Sequence, residues 1–155
     1  MKPEQLLNDL GLTMGLPDLK FNEQGCARLV FDSKTAVNLE SDADNGQLQI
    51  YTDLCPLPPE GREALYLSLL EGNLFGLQTQ GATLAVDSAN HQVVLCRTLV
   101  AEELSANAFL AIIESFVNSA EQWRAQIEGG GQQPPAPVQQ TLTVPSQFQG
   151  FIIRG

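Results

Sequence analysis

Between Cys26 and Leu54 the chain carries three strand-period runs, separated by links with room for little more than a turn. CARLVFD sets Ala27, Leu29 and Phe31 against Cys26, Arg28 and Val30. TAVNLE places Val37 and Leu39 on one side, and QLQIYTDL does the same with Leu48, Ile50 and Leu54. The link DSKT is short and SDADNG contains an Asn-Gly turn signal, so both connections read as hairpins and the strands as antiparallel neighbours. ATLAVD and QVVLCRTLV, joined across Ser88–His91, add a further pair.

Helical spacing brackets these strands. Leu6, Leu7, Leu10 and Met14 recur along one helix face after Pro3 and Glu4, which suit a first turn. Gly11 and Gly15 weaken its end and Pro17 stops it. All four apolar residues read as core, although an arrangement with Leu7 and Leu10 on the sheet and Leu6 outward also fits the spacing. Near the other end Phe109, Ile113, Phe116, Ala120, Trp123 and Ile127 repeat at steps of four and three, with Ser105 as cap. Glu114, Asn118, Glu121 and Arg124 fall on other faces. The order α-β-β-β-α-β-β-α predicts an α+β domain over residues 1–128. Its antiparallel five-stranded sheet is covered on one face by helices, three of which are expected in all. GGGQQPPAPVQQ then reads as a flexible linker at 129–140, followed by a short apolar tail at 141–155.

The middle helix is too apolar for one core. In REALYLSLLEGNLFGL, opened by Pro59 and Glu60, the residues Leu65, Tyr66, Leu67, Leu69, Leu70, Leu74 and Leu77 fan across about 200° of a helical wheel. Phe75 lies beyond that arc. A helix resting on one core needs a stripe little wider than ~100°. A homodimer is the commonest way to hide the excess; burial within the monomer beneath the last helix is the competing arrangement.

Charge and chemistry narrow the function. The net charge is −10, and since Arg154 is the only charge beyond Glu128, the first 128 residues carry −10 − 1 = −11. That field repels phosphate backbones and disfavours nucleic acid. No segment approaches the ~18 uninterrupted apolar residues of a membrane span, so no membrane insertion is expected. The start, MKPEQLLNDLG, lacks the layout of a secretory signal, and a cytoplasmic protein is the simplest expectation. Cys26, Cys55 and Cys96 form no CxxC pair and, with a lone His91, no zinc pattern. Cys96 and His91, five residues apart, fall on opposite sides of an ideal strand, and no third group orients them. Glu102 with Glu103, and Asp42 with Asp44, read as loop and helix-start charges. Gly129–Gly131 opens no helix, so no phosphate cradle is present. The expectation is a binding protein with no catalytic residues, metal or cofactor; a thiol activity using Cys96 or Cys55 with His91 is the enzyme-class alternative.

LLNDLGL near the start, CARLVFD, TAVNLE, LYLSLLEGNLFG, GATLAVD followed by QVVLCRTL, and a last helix containing AEQW occur in this order over roughly Lys2–Ile127. In that order and spacing the chain resembles the class I type III secretion chaperones, the Tir-chaperone family. The resemblance implies a small cytoplasmic bacterial homodimer, with no ATP or other cofactor. It implies binding to the N-terminal segment of a secreted effector, which is kept extended and delivered to the secretion machinery. It marks Leu65, Leu67, Leu69, Leu70, Leu74 and Phe75 as the dimer helix. Leu6, Leu10, Met14, Leu29, Phe31, Val37 and Leu39 are marked as the effector-binding patches. An adaptor or regulator of the same fold, without a secretion role, is the alternative. The tail departs from the family pattern and reads first as a disordered extension. Leu142, Val144, Phe148, Phe151, Ile152 and Ile153 also allow a short docking strand, in the client groove or on another protein.

Overall fold

The computed structural model describes residues 1–130; most of the expected linker and all of the expected tail lie outside the described residues. Helix α1 (Pro3–Met14) precedes strands β1 (Cys26–Phe31), β2 (Thr35–Asp42) and β3 (Gln47–Pro56). Helix α2 (Arg62–Gly72) runs into a 3₁₀ turn, Leu74–Gly76, before β4 (Thr83–Asp87) and β5 (Gln92–Val100). A second 3₁₀ turn, Ala101–Glu103, leads into α3 (Ala106–Glu128). The element order and the five-stranded sheet are those the sequence predicts, and every strand pair is antiparallel. The strand order is β1-β2-β3-β5-β4, which leaves β1 and β4 as the edges.

Period-two alternation decides which face is buried. Leu29 lies opposite Val37, Leu39 opposite Ile50, Leu48 opposite Leu99 and Leu84 opposite Leu95, and all eight side chains are buried. Leu6, Leu7 and Leu10 of α1 and Phe109, Ile113, Phe116, Ala120 and Trp123 of α3 join them in one core. Each fully buried Leu, Ile or Phe contributes about 1.5–3 kcal/mol relative to exposure. Leu6 is as buried as Leu7 and Leu10 while Met14 is half-buried against the core, so the core reading of α1 holds for three of its four residues and the outward reading of Leu6 does not hold.

Three local features set the ends of the sheet. The Ser105 hydroxyl accepts from the Ala108 N–H at 3.2 Å and caps α3, as its position before the apolar repeat predicts. Far along the same helix, Arg124 donates to the backbone carbonyls of Leu54 (Nε, 3.0 Å) and Asp53 (Nη2, 2.9 Å), at a β3 irregularity, and from Nη1 to Thr35 Oγ1 at 3.1 Å. A side chain placed on a polar face by its spacing thus ties α3 to the sheet. The SDADNG hairpin is not a two-residue Asn-Gly turn: Asp42 pairs with Gln47, and of the four loop residues between them only Gly46 takes a positive φ, 63°.

The middle helix is shorter than its apolar run. It ends at Gly72, and Phe75 sits in the left-handed region (φ 56°), so Leu74, Phe75 and Leu77 belong to a turn and not to the helical wheel of α2.

Candidate protein-binding surfaces

The two sheet edges are treated differently. On β4 the Leu84 N–H donates to Asn73 Oδ1 at 2.7 Å, and Asn73 Nδ2 donates to the Leu84 carbonyl at 3.0 Å. One amide side chain thereby pairs with both backbone groups that a neighbouring strand would use. Just before β4, the Ala82 N–H donates to the Thr79 carbonyl at 3.1 Å and Thr79 Oγ1 donates to the Ala82 carbonyl at 2.6 Å. The segment after α2 therefore seals most of this edge, a recognised defence against unwanted strand pairing.

The β1 edge is sealed at one end only. The Asn22 N–H donates to the Cys26 carbonyl at 2.8 Å, and the Cys26 N–H donates to Asn22 Oδ1 at 2.9 Å. Gly25, the preceding residue, instead accepts from the Ser41 N–H of β2. Antiparallel strands alternate inward and outward hydrogen bonding, so Arg28 and Val30, like Cys26, point their N–H and C=O groups away from β2. Among the described residues nothing pairs with them. Val30 is 61% exposed, and Phe31 is half-buried against the core at the same edge.

A second surface lies on α2 and the turn that follows. Leu69 and Gly72 fasten the helix to the domain; a Cβ at Gly72 would collide with the Trp123 indole and lie 2.9 Å from Leu84 Cδ1. The indole N–H of Trp123 donates to the Gln78 carbonyl at 2.9 Å and holds the turn. Beyond this contact Leu67, Leu70, Leu74, Phe75 and Leu77 are exposed, Phe75 by 85%. Large apolar groups gathered this way, one on a strained backbone, mark an interaction surface.

Chemistry is sparse elsewhere. The uncovered sheet face forms a groove of about 520 Å³ lined by Glu40, Asp53, Asp87 and Tyr51 among others, with no Lys or Arg in its lining. Burial, and then the nearby Glu40 carboxylate, push the Tyr51 hydroxyl up. Burial raises the Cys26, Cys55 and Cys96 thiols, with Glu40 adding to the effect on Cys26 and Glu128 to that on Cys55. Raised thiols are poor nucleophiles. His91 is exposed in a turn, at φ 53°, while Cys96 Sγ donates to the Thr83 carbonyl at 3.6 Å. Among the described residues no group of three or more His, Cys, Asp or Glu side chains is placed to hold a metal ion, and no helix is long and apolar enough to cross a membrane.

A model of the Tir chaperone protein (CesT) family matches residues 5–124. The chain belongs to this family. The CPj0713/CpB0740 protein of Chlamydia pneumoniae is 30% identical over 131 residues, which is 83% of this chain and 98% of that one. The transcriptional anti-antiactivator ExsC of Pseudomonas aeruginosa is 27% identical over 127 residues, 79% of this chain and 83% of ExsC. A chain of the ExsC–ExsE complex superposes with a TM-score of 0.67 at 25% identity, covering 80% of this chain and 95% of that one. A chain of the HopA1–SchA chaperone–effector complex shares the fold, with a TM-score of 0.66 at 22% identity over 77% of this chain and 91% of that one.

On this CesT-family domain the residues marked for effector binding fall into two groups. Leu6, Leu10, Leu29, Val37 and Leu39 are buried in the chain's own core, so they present no surface of their own. Met14 and Phe31 are half-buried at its margin. Those marked for dimerisation divide as well: Leu69 is buried and Leu65 half-buried against the core, while Leu67, Leu70, Leu74 and Phe75 are exposed. The spacing of the strand residues gave no sign of the backbone groups of Arg28 and Val30. Only strand order reveals an edge.

Proposed function

We propose that this CesT-family chain is a type III secretion chaperone that binds the N-terminal segment of a secreted effector in the bacterial cytoplasm. It keeps that segment extended and competent for secretion, and assists its delivery to the secretion apparatus. The observation that carries this reading is the asymmetry of the sheet in a chain of this family: Asn73 and Thr79 cover the outward groups of Leu84 and Ala82 and leave Val86 alone on the β4 edge, while β1 offers both Arg28 and Val30 to an added strand. Strand addition draws affinity from main-chain hydrogen bonds and specificity from neighbouring apolar pockets. Phe31, half-buried at this edge, supplies an apolar margin for such a strand, and the buried Leu29, Val37 and Leu39 hold that margin in the core. The exposed patch on α2 and its turn is assigned to a second copy of the chain. Two client edges in one homodimer would raise avidity without a single strong site.

The test is co-purification of the full chain from its native cell, with identification of the bound protein and of the stoichiometry. A secreted protein held through its N-terminal segment is the expected result. The Val30→Pro chain removes one outward N–H without breaking a bond to β2, and is expected to lose the client while keeping its thermal midpoint. Undiminished capture by that variant would rule out strand addition at β1. A regulator's role is the second reading, favoured by the 27% identity to an anti-antiactivator; recovery of a transcriptional regulator in place of a secreted protein would establish it.

A further inference from the structure

We infer that the β1 edge selects its client through a carboxylate: the docking strand carries two apolar residues followed by Asp or Glu, and the acidic side chain pairs with Arg28. The inference rests on strand addition at β1 and names the chemistry that such a strand brings. Charge is spread unevenly over the open face of the sheet. The larger groove has Glu40, Asp53 and Asp87 in its lining and no Lys or Arg. A smaller groove of about 210 Å³ lies at the β1 end, with Asn22, Arg28, Asn38 and Tyr51 among its lining residues. Arg28 is the one charged residue in that lining. Across the strands Arg28 faces Asn38 and Asn38 faces Tyr51, so this row contains no carboxylate; Glu40 lies one row on, opposite Cys26. Arg28 is exposed, and among the described residues no acidic side chain pairs with its guanidinium.

The edge fixes where a client's side chains go. Arg28 and Val30 carry the outward N–H and C=O groups, so an antiparallel strand sets one residue opposite Val30 and another, two positions later, opposite Arg28. Directly opposed side chains share a face, with Cβ atoms about 4.5–5.5 Å apart. The first client residue therefore lies beside Val30, which is exposed, and the next turns to the helix-covered side, beside buried Leu29 and half-buried Phe31. Both places favour apolar side chains. The third residue lies beside Arg28, where an unpaired guanidinium favours a carboxylate. The acidic domain as a whole attracts the opposite sign, and distance decides between the two effects. Glu40, on β2, stands two strands from the client at about 4.8 Å per strand. In about 0.15 M salt the Debye length is about 8 Å, so Arg28, at pairing distance, outweighs the carboxylates further across the sheet.

Titration of the full chain, labelled with nitrogen-15, by short capped peptides tests this. Each peptide has Val-Val at its centre followed by Glu, Gln or Lys, in a background of Thr and Asn. In about 0.15 M salt every peptide is expected to shift the Arg28 and Val30 amide resonances, with the Glu peptide binding about fivefold tighter than the Lys peptide. In the Arg28→Glu chain that order should reverse, while the Ile50 and Leu95 amides keep their positions and report an intact sheet. Peptides that shift both edge amides with equal affinity would overturn the carboxylate preference and leave strand addition standing. If no peptide shifts them, strand addition at β1 fails and the preference falls with it. Shifts at Arg28 and Val30 on dilution of the chain alone would make a second copy the occupant, which also overturns the proposal.

Discussion

Asp42 and Asp87 close two hairpin loops by one device. Asp42 accepts from the Asn45 N–H and side-chain amide, and Asp87 accepts from the same two groups of Asn90. Both loops then place their last residue in the left-handed region: Gly46 at φ 63° and His91 at φ 53°. Glycine takes that conformation without a side-chain penalty, whereas other L-residues give up roughly 1 kcal/mol. His91→Gly is therefore expected to stabilise the chain by about 0.5–1 kcal/mol, read as a rise in the urea midpoint; a fall would mean that the imidazole makes compensating contacts. Asp87 also carries a pH signature. Its hydrogen bonds from the Asn90 side chain and backbone hold its pKa below the ordinary carboxylate range. A carboxylate depressed in the folded state contributes stability that is present above its unfolded pKa, about 3.9, and is lost as pH falls through the lower folded value. The deficit of Asp87→Ala relative to the parent should be full at neutral pH and shrink below about pH 4. Paired urea titrations across that range measure it, and a deficit that grows with acid would contradict the assignment.

At the scale of elements, the end of α2 decides how the sheet is exposed. Asn73 stands one residue beyond the helix and satisfies Leu84, eleven positions away. Asn73→Ala would leave the Leu84 N–H and C=O without partners, at a cost of about 1–3 kcal/mol, and would open β4 to pairing with other chains. The expected signature is a lower unfolding midpoint together with light scattering that rises with protein concentration; an unchanged midpoint would show that water replaces the amide. Gly72→Ala acts on the same joint from the other side. It presses on the Trp123 indole and Leu84, with an overpacking cost of about 1–3 kcal/mol and a shift in tryptophan fluorescence. Neither residue stood out in the sequence, because each matters through a partner remote along the chain. The strands were legible for the opposite reason: alternation such as Ala27, Leu29, Phe31 records burial one residue at a time, and the cap at Ser105 is local. The surplus of leucines after Arg62 was also legible, but the stop at Gly72 was not, since the amide pairing at Leu84 overrides helical continuation. Arg124 read only as lying off the apolar face of α3, and its carbonyl partners at the β3 irregularity are some seventy residues away in the chain. Of the residues marked for effector binding, Leu6, Leu10, Leu29, Val37 and Leu39 are buried and Met14 and Phe31 half-buried, whereas the unpaired backbone groups of Arg28 and Val30 carry no residue-type signal that a sequence could show.

For the whole molecule, the question is how an acidic chain carries so much apolar surface in one place. Leu67 is 57% exposed, Leu70 69%, Leu74 61%, Phe75 85% and Leu77 71%. A two-fold pairing would set this patch against its own copy, so that each side chain meets an equally apolar neighbour. The negative charge of the domain opposes such a contact only weakly at this place, because Glu71 is the single acidic residue between Leu67 and Leu77. In an isologous interface every substitution counts twice. An aspartate at Leu67 or Leu74 would place two carboxylates in or beside the apolar seam; a loss of about 2 kcal/mol per copy sums to roughly 4 kcal/mol, about a thousandfold in the dissociation constant. Leu67→Asp and Leu74→Asp should therefore sediment as monomers at concentrations where the parent is a dimer. Both positions are exposed in the single chain, so the circular dichroism of each variant should match the parent. Leu69→Asp should instead unfold the domain, because that side chain is 4% exposed within the chain's own core. If both surface variants remain dimeric, the seam must lie elsewhere, and the exposed leucines of α2 would become part of the surface that meets the client.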